Sequence, residues 1–308
     1  MNKQERVLAA LNGKEVDYVP YSMWYHFGTQ FLPGEKAAET QLAYYDRYDF
    51  DYLKLMNDYT YPLPDGLERI NSINDWNKMR PVPLSHPCFA EQLKIVRLAA
   101  KHVKGKAFFQ DTIFNPLGVA RRSAKDIIFT IMRSHPDDFK RGMEIIAESI
   151  RGYIAAVLAE GAAGIFFSIN GGADDLMTTD EFNEFVRPYD LYVLETVKNK
   201  TVFNTAHVHG YKLLFKEVAD YPVEAFNWSH LHSEPSLAQA KEMTPACLIG
   251  GINERLTNMF HPNEIETQIK EAFRMTGGKH FMLGPGCAVP TDLPPEHLDL
   301  IRDTIRKM

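Results

Sequence analysis

A chain of 308 residues with 45% apolar and 24% charged positions has ample material for one large core, and its formal charge of −6 with no basic run gives no electrostatic reason to bind nucleic acid or an anionic membrane. A small-molecule partner is the expectation. No window approaches the roughly 18 apolar residues of a spanning helix, residues 1–6 lack the apolar stretch of a signal peptide, and Cys88, Cys247 and Cys287 are too scattered for a disulfide framework, so a cytoplasmic protein is expected.

In chain order, the apolar spacing of Val7, Leu8 and Leu11 predicts an amphipathic helix over 2–12 with Gly13 as its stop. Residues 16–25 read as a first strand, 35–48 as a helix and 52–56 as a second strand that delivers Asn57 and Asp58 to its C-terminal end. The proline-rich stretch 61–87 has little periodicity and is expected to be a long excursion over one face. A helix over 89–103 and a strand over 107–111, ending in Asp111, follow. Residues 122–133 and 136–159 are helical in pattern, the second opening on Pro136 with a stripe of Phe139, Met143, Ile146, Ile150 and Ile154. A strand over 164–169 runs into Asn170, and Thr178 with Glu181 has capping-box spacing before a helix reaching about Lys198, bent near Pro188. Strand-like runs at 201–207, 224–228, 246–250 and 280–283 alternate with helical stretches at 211–219, 235–243, 262–275 and 295–307. Eight strands, each followed by a helix, predict an α/β chain forming one domain over 1–308, a single (β/α)8 TIM barrel; a doubly wound open sheet is the competing architecture.

In such a barrel the active site is built at the C-terminal ends of the strands. Those ends carry His26, Asp58, Asp111, Asn170, His207 with His209, Asn227 with His230 and His232, Asn253 with Glu254, and Cys287. A rim this rich in imidazole, carboxylate and thiol points to an enzyme. Residues i and i+2 of a strand share a face, so His207 and His209 are placed to ligate one metal ion, with Cys287 as a third ligand. Taken alone, a pair of histidines is more often solvated, and a free cysteine more often packs as a small hydrophobe. No Gly-x-Gly-x-x-Gly or Gly-x-Ser-x-Gly motif supports nucleotide binding or serine hydrolysis.

Three segments together resemble the uroporphyrinogen decarboxylase superfamily, which includes the decarboxylase and corrinoid-dependent methyltransferases. They are the run from Arg6-Val7-Leu8 to Val19-Pro20, the stretch Phe185-Val186-Arg187-Pro188-Tyr189, and the run from Leu283-Gly284-Pro285-Gly286-Cys287 through Pro294-Pro295-Glu296-His297-Leu298. The decarboxylase branch carries Arg-Gln-Ala-Gly-Arg-Tyr after its first strand, where guanidinium groups grip carboxylates. Here that stretch is Met23-Trp24-Tyr25-His26-Phe27-Gly28, although Asp58 matches that branch's essential aspartate. The methyltransferase branch binds zinc through a His-x-Cys motif and a later cysteine, which His207, His209 (in the cysteine's place) and Cys287 match. With one thiolate and two neutral imidazoles, zinc keeps a net positive charge and is the stronger Lewis acid, which favours an oxygen-containing or otherwise poorly activated methyl donor.

The resemblance therefore implies a zinc-assisted methyltransferase that moves a methyl group between a small substrate and a corrinoid on a partner protein. Asp58, His207 and Cys287 are its expected catalytic residues, and His26, Asp111, Asn170, Asn227, His230 and Asn253 its expected substrate contacts. The alternatives are a cofactor-free decarboxylase of a tetrapyrrole or related acid, with Asp58 stabilising a protonated pyrrole-like intermediate, and a barrel that binds such a ligand without turnover.

Overall fold

A computed structural model describes residues 1–173, 175–255 and 261–308. The chain opens with helix α1 (Lys3–Leu11), started by a capping box in which Asn2 and Glu5 satisfy each other's backbone N–H. Helix α2 (Gly34–Tyr48) leads into strand β1 (Tyr52–Leu55). The excursion that follows holds the one-turn helix α3 (Ile73–Trp76), capped by Ser72, whose Trp76 is buried and stacks against Phe139. Then come α4 (Pro87–Val103), β2 (Phe108–Phe114), α5 (Pro116–Ala124), α6 (Ile127–Ser134) and α7 (Pro136–Ala159), the last burying the expected stripe. Strand β3 (Gly164–Asn170) is followed by α8 (Thr179–Phe185) and α9 (Arg187–Leu194). The helix expected to bend near Pro188 is in fact two, broken at Val186, because a proline at the second position of α9 lacks the N–H that would continue the ladder. The chain continues through β4 (Thr205–His209), α10 (Phe215–Val218), β5 (Ala225–Asn227), α11 (Leu237–Lys241), β6 (Cys247–Ile252), α12 (Pro262–Thr276), β7 (Phe281–Pro285) and α13 (Pro295–Ile305).

The strands form one parallel sheet in the order β1-β2-β3-β4-β5-β6-β7, an α/β architecture consistent with a TIM-like barrel. It differs from the expected eight-stranded closure in one place. The first predicted strand, 16–25, is reduced to a single bridge between Tyr21 and Leu283. Pro20 has no N–H to give, and the Tyr21 N–H donates to the Asp51 carboxylate at 3.0 Å instead of to a strand. Three backbone bonds still tie this segment to both sheet edges: Leu283 N–H to Pro20 O at 2.9 Å, Ser22 N–H to Leu283 O at 3.2 Å, and Asp51 N–H to Tyr21 O at 3.0 Å.

Residues paired across parallel strands share a face, so the register sorts the side chains. Leu55, Asp111 and Ile165 are in one row facing the helices. Phe166, Thr205, Ala225 and Cys247 are in another facing inward, where Trp24, Tyr52 and Phe203 complete a second apolar cluster. One inward layer nearer the strand ends reads Ser168, His207, Asn227, Ile249, Met282. Among the described residues no helix is long and apolar enough to cross a membrane.

Candidate active site

His207 is the centre of that layer and is 4% exposed. Its Nδ1 lies 2.7 Å from Asn227 Oδ1, while Asn227 Nδ2 donates to the carbonyls of Ile249 and Pro285, each at 2.9 Å. Two carbonyl partners require the amide nitrogen, so Oδ1 must accept, and His207 must carry its proton on Nδ1. Nε2 therefore carries a lone pair and no proton, and it makes no hydrogen bond among the described residues. Burial pushes the imidazole down to about 3, with the neighbouring His209 acting in the same direction, so the ring is neutral at any working pH. His209, two residues on, is exposed at the rim; its ring meets that of His207 edge to face at 5.9 Å.

Phe166 stacks on His207 at 5.4 Å, and the ammonium of Lys54 lies 4.6 Å from the same ring. Lys54 is 6% exposed, its only hydrogen-bond acceptor among the described residues is the Met56 sulfur, and no carboxylate bridges to it. Burial lowers its pKa to about 7 against the opposing pull of Cys287, Asp58 and Asp111. Lys54 was not among the expected site residues. Its signal was a lone cation within the otherwise apolar run Tyr52-Leu53-Lys54-Leu55-Met56, whose neighbours are all buried.

Cys287 follows β7 and is partly buried, which raises its thiol pKa. A Cβ on the preceding Gly286 would lie 2.5 Å from Glu254 Oε2 and 2.6 Å from the Ser229 Cα, so this position admits no side chain. Glu254 is 4% exposed; its Oε1 accepts from Ser229 Oγ at 2.5 Å, while Oε2 is buried without a partner among the described residues. Glu254 was placed at the rim beside Asn253 by the sequence but given no role there.

The remaining expected residues divide. His26 Nδ1 donates to Asp58 Oδ1 at 2.6 Å, making an imidazole–carboxylate pair at the end of β1. Asn170 stands in register with His209 and shares its face, its Nδ2 3.4 Å from Ser168 Oγ. Asn253 Oδ1 meets His232 Nε2 at 2.7 Å. Asn227 is fully buried and holds His207 rather than facing the mouth. Two others are turned to the scaffold. His230 Nε2 accepts the Gly251 N–H at 2.9 Å, tying the β5 loop to β6. Asp111 lies mid-strand because β2 runs on to Phe114, so it faces the helix layer, where Tyr153 donates to Oδ2 and Gln92 to Oδ1, each at 2.7 Å. Burial raises Asp111 to about 7.

A model of the uroporphyrinogen decarboxylase (URO-D) family matches residues 2–308. The chain belongs to the uroporphyrinogen decarboxylase family. Among solved structures this family member is similar to a methyltransferase from Methanosarcina mazei, at 20% identity over 100% of this chain and 98% of that one, with a TM-score of 0.79. A putative vitamin-B12 independent methionine synthase from Listeria monocytogenes matches at 15% identity over 94% and 95% of the two chains, with a TM-score of 0.59. At these identities the likenesses establish the shared fold. No curated protein matches the chain.

For a uroporphyrinogen decarboxylase family chain the zinc question becomes one of donors. An unprotonated His207 Nε2, the His209 imidazole, the Cys287 sulfur and the orphaned Glu254 Oε2 are nitrogen, sulfur and oxygen donors of the kind zinc takes. The Nδ1 hydrogen bond to an amide oxygen is the outer-shell support a ligating histidine uses. The donor chemistry fits, although among the described residues no three His, Cys, Asp or Glu side chains are gathered into one group.

Proposed function

We propose that this protein is a methyltransferase of its family, moving a methyl group between a small substrate and a corrinoid carrier, with zinc held by His207, His209 and Cys287. The observation that carries the reading is the Asn227 clamp. One side chain fixes the His207 tautomer and also grips the Pro285 carbonyl two residues before Cys287, so β4, β5 and β7 are tied together around two of the three proposed ligands, His207 and Cys287. A buried neutral His207 whose Nε2 makes no hydrogen bond among the described residues supports the metal-assisted reading and has no role in the decarboxylase reading.

Zinc bound there supplies Lewis acidity toward the heteroatom that carries the methyl group. The protein's own residues do the rest. Asn227 keeps the proton of His207 on Nδ1, so Nε2 offers its lone pair. The Lys54 ammonium and the Arg255 guanidinium both favour the thiolate form of Cys287, against burial and Glu254. Phe166 shields the inner side of His207 from water. Asp58, held by His26, sits at the rim as the general acid or base for the leaving group.

The test is an anaerobic assay that follows conversion of cob(I)alamin to methylcobalamin by its absorbance, over a panel of O-methyl and N-methyl donors. The wild-type protein should catalyse transfer from at least one donor, with a loss of about a hundredfold in His207→Ala and Cys287→Ser. Carbon dioxide release from carboxylated tetrapyrroles that depends on Asp58 and survives His207→Ala would refute the reading.

A further inference from the structure

Tyr52 and Lys54 of β1 and Met56 just beyond it share the inward face, and Lys54 stands in register with Gln110. Gln110 offers the amine nothing. Its Nε2 donates to Phe203 O at 2.6 Å and Thr205 Oγ1 at 3.0 Å, and its Oε1 accepts from the Thr205 hydroxyl at 3.2 Å. Lys54 Nζ lies instead 4.6 Å from the Phe166 ring centre and 5.6 Å from that of Trp24, two rings packed edge to face at 5.4 Å. Its one hydrogen-bond acceptor among the described residues is the Met56 sulfur. A buried ammonium with no carboxylate to pair with gives up its proton readily, and burial lowers this one to about 7. The neutral amine then has an unshared pair and no charge to solvate.

The apolar cluster around this amine is open at one end. Phe27 and Ala288 pack on it but are only half-buried, and Ala288 follows Cys287 at the mouth. The Val289 N–H donates to Trp24 O at 2.9 Å, which ties Trp24 to the same loop. A small molecule entering beside Cys287 therefore meets Trp24 first and the amine behind it. The groups that touch the amine, two aromatic rings and a thioether, suit an uncharged ligand rather than an anion.

We propose that Lys54 is the nucleophile of a carbonyl-binding site that takes a small uncharged aldehyde as an imine. Nζ adds to the carbonyl carbon and forms the C–N bond. The carbonyl oxygen takes up both amine protons and leaves as water, so the C–O bond breaks and C=N remains. No oxidant or reductant is consumed. The inference does not rest on the transfer chemistry proposed above, because it requires only the unaltered chain and an aldehyde.

Propanal with cyanoborohydride at pH 7 tests it, because hydride reduces the imine to a stable propylamine that peptide mass spectrometry locates. Ordinary lysines are almost fully protonated at that pH, so the Lys54 peptide should be labelled about tenfold or more faster than any other lysine or the amino terminus. The rate should saturate as propanal is added, as binding before reaction requires. Glyoxylate, an aldehyde that carries a carboxylate, should label Lys54 about tenfold more slowly. Lys54→Met should melt at or above the wild type and lose this adduct, while the surface lysines label as before. Labelling confined to surface lysines, a Lys54 rate that climbs without saturating, or glyoxylate reacting there as fast as propanal would overturn the proposal.

Discussion

His207 and Lys54 lean on the same Phe166 ring, one an imidazole held neutral and the other a buried cation with no oxygen partner among the described residues. Removing the Asn227 amide should expose how much the first depends on its support. Asn227→Ala leaves the His207 N–H and the Ile249 and Pro285 carbonyls unpaired, and should destabilise the fold by about 2–3 kcal/mol in a urea titration. Lys54 works in the opposite direction. Its folded pKa of about 7 is below the usual lysine value, so the folded state binds fewer protons than the unfolded chain between about pH 7 and 10.5. Stability from this group is present at alkaline pH and is lost as pH falls through 7. Lys54→Met should therefore raise the melting temperature at pH 6.5, by on the order of 5 °C, while lowering transferase activity about tenfold or more. A variant that is less stable at pH 6.5 would show that the ammonium has a partner worth keeping.

At the scale of elements, the alternation of strands and helices was legible because each amphipathic helix and each apolar run has its own period, and α1, α2, α4, α7, α12 and α13 fall where the pattern puts them. What the pattern did not reveal was where a strand stops. Reading β2 as ending at Asp111 placed that carboxylate at the mouth; three more residues, closed by Asn115-Pro116, put it mid-strand and facing helices α4 and α7. The first strand failed for a related reason. Its apolar run is strand-like, but Pro20 and the pairing of the Tyr21 N–H with Asp51 remove ladder donors, and a carboxylate 30 residues away is not visible in a local window. The strand-end histidines were legible as a group, whereas the division between His207, whose Nδ1 is held by Asn227, and His230, whose Nε2 binds a backbone N–H, depends on partners distant in sequence. Asp111→Asn tests the new placement. The amide is isosteric with the protonated acid that burial favours, so substrate affinity and turnover should stay within about twofold of wild type. A large change in KM would return Asp111 to the site.

Across the whole molecule, four buried groups titrate in opposition. Asp111 and Asp190, both raised by burial to about 7, contribute stability that is full at low pH and is lost as pH rises through their folded values. His207 and His230, lowered by burial to about 3 and about 4, contribute stability that is present above the usual imidazole range and is lost as pH falls. Between about pH 4.5 and 6 the two pairs oppose each other, so urea midpoints should vary little there. Replacing both acids with their amides, Asp111→Asn with Asp190→Asn, should leave the histidines unopposed, and the midpoint should then climb with pH across the same window. Parallel profiles for the variant and the wild type would contradict this balance.

The family fold, the Asn227 clamp and the unprotonated Nε2 of His207 meet in one claim, that His207, His209 and Cys287 hold a zinc ion. The zinc K-edge absorption spectrum of the purified protein tests it most directly. A shell with one sulfur at about 2.3 Å and nitrogen or oxygen at about 2.0 Å, losing its sulfur in Cys287→Ser and its zinc in His207→Ala, is the predicted result. A native protein that binds no zinc, or a sulfur-free shell indifferent to both substitutions, would contradict it.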